Sequence, residues 1–274
     1  MEYIPEEIYE LYTAEEKKLL KNLEELFKKW HAHFIESQKN QEYLVRTNED
    51  DYSSNDISFD GFFPGYLKQK VKLLFLAKES RGLSGENYIK WLYKGIKDNK
   101  IEDQKLNQHL FYRRIFYVTY GLQNNETDYW KIPYAEEMIQ DFGTEKLSFA
   151  VMNLSKFSNK SNRYEANPDL INKSVELSIN GDTNFIEEEI SLLDPDAIIG
   201  MYLHNYYDKI FGEKITQRYK SNASIPVYEL KLKDKSYPLL DSYHFSNFSQ
   251  ITSEEYFITS LIKDTKEAIE KINR

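Results

Sequence analysis

Three polar residues stand where apolar segments of the chain end, and together they could cleave an N-glycosidic bond. Glu79 follows the run VKLLFL, Asn153 ends the run FAVMN, and His244 follows LLDSY. Breaking such a bond requires a positioned water, stabilisation of an oxocarbenium-like sugar and hydrogen bonds to the departing base. A carboxylate, an amide and an imidazole can supply these three functions.

Each of these runs has the composition of a buried strand. The predicted strands are 71–76, 149–153 and 197–201, followed by shorter strands at 227–230 and 237–240. Helical stretches separate the first three strands, which is typical of βαβ units in a mostly parallel sheet with helices on both faces. Ligands of such sheets bind beyond the carboxyl ends of the strands, so we expect Glu79, Asn153 and His244 to converge there.

An amphipathic helix precedes the predicted sheet. Thr13 and Glu16 fit a capping box, and apolar residues then recur at three- and four-residue spacing as far as Phe34. A polar, acidic loop over residues 40–56 follows. We therefore divide the chain into an N-terminal helical extension, 1–56, and an α/β domain, 57–274, which are expected to form one structural unit.

The order of these motifs resembles the uracil-DNA glycosylase superfamily over about residues 59–256. The first family motif is similar to AKESRG at 77–82, although its glycine and proline are absent here. The base-reading asparagine of the family compares with Asn153 and the Leu-Ser-Lys after it. The segment 186–211 looks like the family's helix, Asp-Pro turn, strand and helix, and the final His-Pro-Ser motif compares with His244-Phe245-Ser246.

This resemblance implies a three-layer α/β/α sandwich of the uracil-DNA glycosylase type that excises a uracil-like base from nucleic acid. By the resemblance, Glu79 orients or activates water, Asn153 pairs with the base edge, and His244 stabilises the leaving-group oxygen. No metal and no cofactor are implied. The residues also allow simpler roles: Glu79 could cap the helix after its strand, and Asn153 could satisfy loop backbone groups.

Further residues are candidates for substrate binding. Phe63 and Tyr88 are candidates for stacking on a flipped base. Phe248 is a candidate wedge for the minor groove, and Ser246 is a candidate hydrogen-bond donor to a phosphate. The best candidate for a phosphate-facing loop is the stretch after Asn153, which contributes Ser155, Lys156, Lys160 and Arg163.

The composition limits the class of protein. The chain has 274 residues, no cysteine and a formal net charge of −9, so it has neither disulfides nor a cysteine-ligated iron–sulfur cluster. The absence of a long apolar run predicts no membrane span, and the acidic start predicts a cytoplasmic protein. A negative charge is unfavourable for duplex DNA, so either a local basic patch offsets it or the ligand is not duplex DNA. Two alternatives to the glycosylase stay open: a non-catalytic nucleotide, nucleic-acid or protein binding module, and a small-molecule nucleoside hydrolase, which the acidic charge suits better.

Overall fold

The computed structural model describes residues 2–161, 165–221, 224–248 and 254–272. These residues form a mixed α/β fold, with helices around a seven-stranded central sheet. Its α-helices are α1 (Ala14–Gln38), α2 (Tyr88–Lys97), α3 (Leu110–Asn124), α4 (Pro168–Leu177), α5 (Phe185–Leu193), α6 (His204–Phe211) and α7 (Glu254–Ile272). Two short hairpins, β1 (Val45–Arg46) with β2 (Asp51–Tyr52) and β6 (Ile179–Asn180) with β7 (Thr183–Asn184), lie outside the central sheet.

The central sheet is mostly parallel at its centre and antiparallel at its edges. It contains β3 (Gly61–Phe62), β4 (Leu73–Ala77), β5 (Ala150–Asn153), β8 (Ala197–Met201), β9 (Ile215–Lys220), β10 (Pro226–Leu232) and β11 (Lys235–Ser242). The strand order is β3-β5-β4-β8-β11-β10-β9, and β5, β4, β8 and β11 run parallel. The sequence therefore predicted the parallel centre correctly and missed the two outer strands β3 and β9.

The order in which successive strands are added to the sheet reverses at β4. From β4 the chain crosses to β5 on one side, and it later returns to β8 on the other side. In open α/β sheets, a crevice forms outside the carboxyl ends at such a switch point, because successive loops diverge there. The loop after β4 begins with Lys78 and Glu79. These residues therefore lie at the switch point, where sheets of this kind commonly bind ligands.

The N-terminal helix α1 begins as the sequence predicted. Thr13 accepts a hydrogen bond from Glu16 N, and the Glu16 carboxylate accepts one from Thr13 N, which is a complete capping box. The buried face of α1 carries Phe27 and Trp30, and α1 packs against α5. Phe27 also contacts Phe59, so the apolar core of the extension is continuous with that of the α/β domain.

A buried cluster of three ionisable groups joins the extension to the sheet. Lys156 Nζ lies 2.5 Å from Asp60 Oδ1 and 2.8 Å from Glu189 Oε2, and its side chain is 1% exposed. The Trp30 ring lies 4.9 Å from the same nitrogen. Burial raises the pKa of Glu189 well above its usual value, which favours the neutral acid and balances two carboxyl groups against one ammonium.

Lys156→Met should destabilise the protein by about 3–5 kcal/mol, because it removes the only cation of this cluster among the described residues and leaves buried carboxyl groups without a partner. The measurement is the free energy of unfolding in urea. The matched control is Lys160→Met, which removes a partly exposed ion pair with Asp56 and should cost about 1 kcal/mol or less. Equal losses in the two variants would contradict the structural role of Lys156.

Candidate functional site

The three residues identified at strand ends lie at one edge of the sheet. Glu79 comes two residues after β4, Asn153 is the last residue of β5, and His244 comes two residues after β11. Because these strands are parallel, their carboxyl ends face the same way. The strand β8 lies between β4 and β11, so the end of β8 belongs to this edge as well.

His244 is held as a neutral hydrogen-bond donor. Its Nδ1 accepts a hydrogen bond from Ser246 N at 3.3 Å, which leaves the proton of the neutral ring on Nε2. Burial, together with the nearby charges of Lys78, Arg81 and Arg114, lowers the pKa of His244 to about 4. The ring packs on Phe111 at a centroid distance of 5.4 Å.

Arg114 fixes the loop that carries His244. It is buried, and its Nη1 donates to the backbone oxygens of Phe245 at 2.8 Å and Asn247 at 2.9 Å. Phe245 is buried as well and packs against Phe75 of β4. The loop that carries the imidazole is therefore held by a buried guanidinium and a buried aromatic ring.

Glu79 is partly buried and is bound to a neighbouring loop. Its Oε1 accepts from Asn159 Nδ2 at 2.8 Å and from Asn167 N at 3.0 Å, while Oε2 is buried without a hydrogen-bond partner in the structure. Asn167 is the N-cap of α4, so Glu79 supports the start of that helix, although across the fold rather than after its own strand. Burial raises the pKa of Glu79.

Asn153 is buried beside Asp60. Its backbone N donates to Asp60 Oδ2 at 2.6 Å, and its side-chain Nδ2 lies 3.4 Å from the same oxygen. Asp60 is also the carboxylate that pairs with Lys156. The position of Asn153 therefore depends directly on the buried ion cluster.

The loop after β5 lies mostly inside the protein. Ser155 and Lys156 are buried, which corrects the expected phosphate-facing position of these two residues. Lys156 is buried because its ammonium group pairs with the buried carboxyl groups of Asp60 and Glu189. Lys160 is exposed and pairs with Asp56 at 2.9 Å, and Arg163 lies outside the described residues.

The expected stacking residues lie in the apolar core. Phe63 packs edge-on against Phe149, and the Tyr88 hydroxyl is paired with that of Tyr112 at 2.8 Å. Neither ring presents a free face to a base in this structure. By contrast, Ser246 is exposed and Phe248 is 85% exposed, so both are accessible to a ligand.

Sequence reasoning missed a second histidine at this edge. His204 begins α6, three residues after β8, and its Nδ1 lies 2.9 Å from Asp241 Oδ2. Asp241 lies in β11 and also accepts from Leu203 N at 2.8 Å and from the Tyr207 hydroxyl at 2.9 Å. The available signal was the same one that identified His244, namely a histidine shortly after an apolar strand.

Tyr202 and Lys78 complete this group. Tyr202 is 48% exposed and has a φ of 64°, a left-handed conformation that is unusual for a bulky residue. Its ring lies 4.9 Å from that of His204, and Lys78 Nζ lies 5.2 Å from the same ring. Burial lowers the pKa of Lys78, while the nearby carboxylates of Glu79 and Asp241 act in the opposite direction. Lys78 therefore acts electrostatically on both Asp241 and His244.

Comparison with known proteins does not assign the chain to a family. No protein-family model matches it, and no curated protein matches it significantly. Within the described ranges, no group of three metal-ligating side chains is arranged to hold a metal ion. No described helix is both long enough and apolar enough to cross a bilayer.

The NMR titration midpoint of His244 should lie near pH 4 rather than near 6.5. Because the unfolded chain binds this proton at higher pH than the folded chain does, the protein should lose stability as the pH falls from about 6.5 to about 4. Lys78→Met and Arg81→Met should each raise the midpoint, whereas the remote Lys160→Met should not. A midpoint at or above 6.5 in the unmodified protein would refute this electrostatic description.

Gly200→Ala should destabilise the protein by about 1–3 kcal/mol, because a Cβ at this position would lie 2.2 Å from the Tyr207 hydroxyl that binds Asp241. Tyr207→Phe removes that oxygen. In a double-mutant cycle measured by urea unfolding, the Gly200→Ala loss should therefore be smaller in the Tyr207→Phe background. Strictly additive losses would mean that the two positions do not interact.

Proposed function

We propose that this chain hydrolyses the N-glycosidic bond of a uracil-like base in nucleic acid, as a divergent relative of the uracil-DNA glycosylase superfamily. The observation that carries the proposal is the state of His244. A neutral imidazole with its proton on Nε2 can donate a hydrogen bond from that nitrogen. Such a donor suits an oxygen that becomes negative as the base departs. Lys78 and Arg81 favour the same negative charge electrostatically.

The arrangement of the sheet supports the proposal. The residues that correspond to the family's three motifs follow β4, β5 and β11, which run parallel and end at one edge. The finer assignment, a three-layer sandwich of the uracil-DNA glycosylase type, is part of this proposal. It rests on the order of the motifs along the chain and on the parallel order β5-β4-β8-β11.

The residues divide the chemistry among them. In this proposal, His244 stabilises the leaving oxygen and Asn153 reads the edge of the base. Glu79 has one carboxylate oxygen, Oε2, that is without a hydrogen-bond partner and is suited to orienting a water. The exposed Ser246 and Phe248 follow His244 directly and are positioned to contact a nucleic-acid backbone or groove.

One observation favours the non-catalytic binding module as a second candidate. Glu79 Oε1 is bound by both Asn159 and Asn167, so this carboxylate has a structural task whether or not it serves in catalysis. A protein that retained only base recognition would keep this arrangement. The two candidates differ in a single measurable respect, the release of free base.

Base release should be detected from uracil-containing DNA, single-stranded or duplex, as alkali-sensitive strand cleavage and as free uracil. His244→Gln should lower the rate by about 10²-fold or more, since a positioned hydrogen-bond donor contributes on this scale. The control is His33→Gln, on α1, which contacts Phe34 and Phe185 rather than the site. Binding of the DNA without any base release would reject the enzyme and favour the binding module, and release from free nucleosides alone would favour the nucleoside hydrolase.

A further inference from the structure

Two histidines lie at the carboxyl edge of the sheet, and their Nδ1 atoms make different hydrogen bonds. His244 accepts at Nδ1 from Ser246 N. His204 instead faces the carboxylate of Asp241 with its Nδ1, at 2.9 Å. The two rings follow adjacent parallel strands, β8 and β11, and Tyr202 N donates to Ser242 O between them at 2.8 Å.

Asp241 determines the proton position on His204. The carboxylate accepts from Leu203 N and the Tyr207 hydroxyl through Oδ1, and from His204 N through Oδ2 at 3.2 Å. An ionised carboxylate only accepts hydrogen bonds, so the Nδ1 of His204 is the donor in this contact. The neutral ring then carries a lone pair on Nε2, and 40% of its side chain is exposed to solvent.

The backbone beside His204 is strained. Tyr202 adopts a left-handed conformation that a bulky side chain rarely tolerates, and its exposed ring contacts His204 on one side and Lys78 on the other. Strain of this kind persists only where the surrounding structure imposes it, and it concentrates at ligand sites. It therefore provides a second observation, independent of the His204–Asp241 hydrogen bond, that points to the end of β8.

We propose that His204 is the general base of this site and that Asp241 is its positioning residue. The inference rests on the proposed function for the identity of the bond that is cleaved. Glu79 is held through Oε1 by the neighbouring loop between β5 and α4, whereas His204 has an accessible nitrogen lone pair. Asp241 would stabilise the imidazolium that forms when His204 takes a proton.

The step balances in atoms and electrons. The oxygen of water forms a bond to the anomeric carbon of the sugar, and the bond between that carbon and the base nitrogen breaks. The electron pair of the broken bond leaves with the base, whose oxygen accepts a hydrogen bond from His244 Nε2. The proton lost by the water passes to His204 Nε2 and is then released to the base or to solvent.

The first test is kinetic. His204→Ala should lower kcat for base release by about 10²-fold or more with little change in KM, and added imidazole should restore part of the rate, because the base acts on water rather than on binding. The control is His33→Ala. His204 is partly exposed, and urea unfolding should verify that the variant retains its stability. An active wild-type protein whose His204→Ala variant keeps its full rate would overturn the inference and leave the proposed function in place.

The second test does not require activity. Long-range ¹H–¹⁵N NMR at alkaline pH should find the proton of His204 on Nδ1 and that of His244 on Nε2. Asp241→Asn should move the His204 proton toward Nε2 in part of the population, because a carboxamide can also donate to Nδ1. A proton on Nε2 of His204 in the unmodified protein would overturn the inference whatever the glycosylase assay finds, and a wild-type protein without base release would overturn both proposals.

Discussion

The buried ammonium of Lys156 is the interaction on which most of this architecture depends. It joins Asp60, at the entry to the sheet, to Glu189 of α5, and it lies against Trp30 of α1. An isolated buried charge is costly, whereas a charge paired on two sides holds its partners in one geometry. The cluster thus connects the N-terminal extension, the sheet and α5, and it explains why the extension shares a core with the rest of the chain.

The same cluster reaches the candidate site through a single carboxylate. Asp60 binds Lys156 with one oxygen and the backbone N of Asn153 with the other. Asn153 ends β5, whose neighbour β4 leads directly into Lys78 and Glu79. A candidate site residue is therefore positioned by buried groups that have no access to a ligand themselves.

Elsewhere along this edge, electrostatics govern the protonation of His244 and the hydrogen bonding of His204. Positive groups and burial keep His244 neutral, while a carboxylate faces His204. A chain with a net charge of −9 thus concentrates Lys78, Arg81 and Arg114 around one imidazole. These positive groups bear on the conflict between the acidic composition and the proposed nucleic-acid substrate, because nearby charges act more strongly than distant, screened ones.

Much of the fold could be read from the sequence. Continuous apolar runs identified β4, β5 and β8 within about two residues, since strands buried on both faces need no alternation. The same logic identified Glu79, Asn153 and His244 as strand-end residues. The strands β3 and β9 were not predicted, because β3 has only two residues and β9 is polar and largely exposed.

Which polar residues face outward was decided by the tertiary structure alone. Lys156 and Lys160 are equally basic in the sequence, yet only the fold brings two carboxyl groups to Lys156 and removes it from the surface. His204 had no distinguishing neighbour along the chain, because its partner Asp241 is 37 residues away. The sequence by itself determined the parallel strands at the centre of the sheet and the positions of Glu79, Asn153 and His244 at strand ends, since apolar patterning is local. The pairing of charges and the protonation of the histidines depend on long-range contacts, which only the folded chain creates.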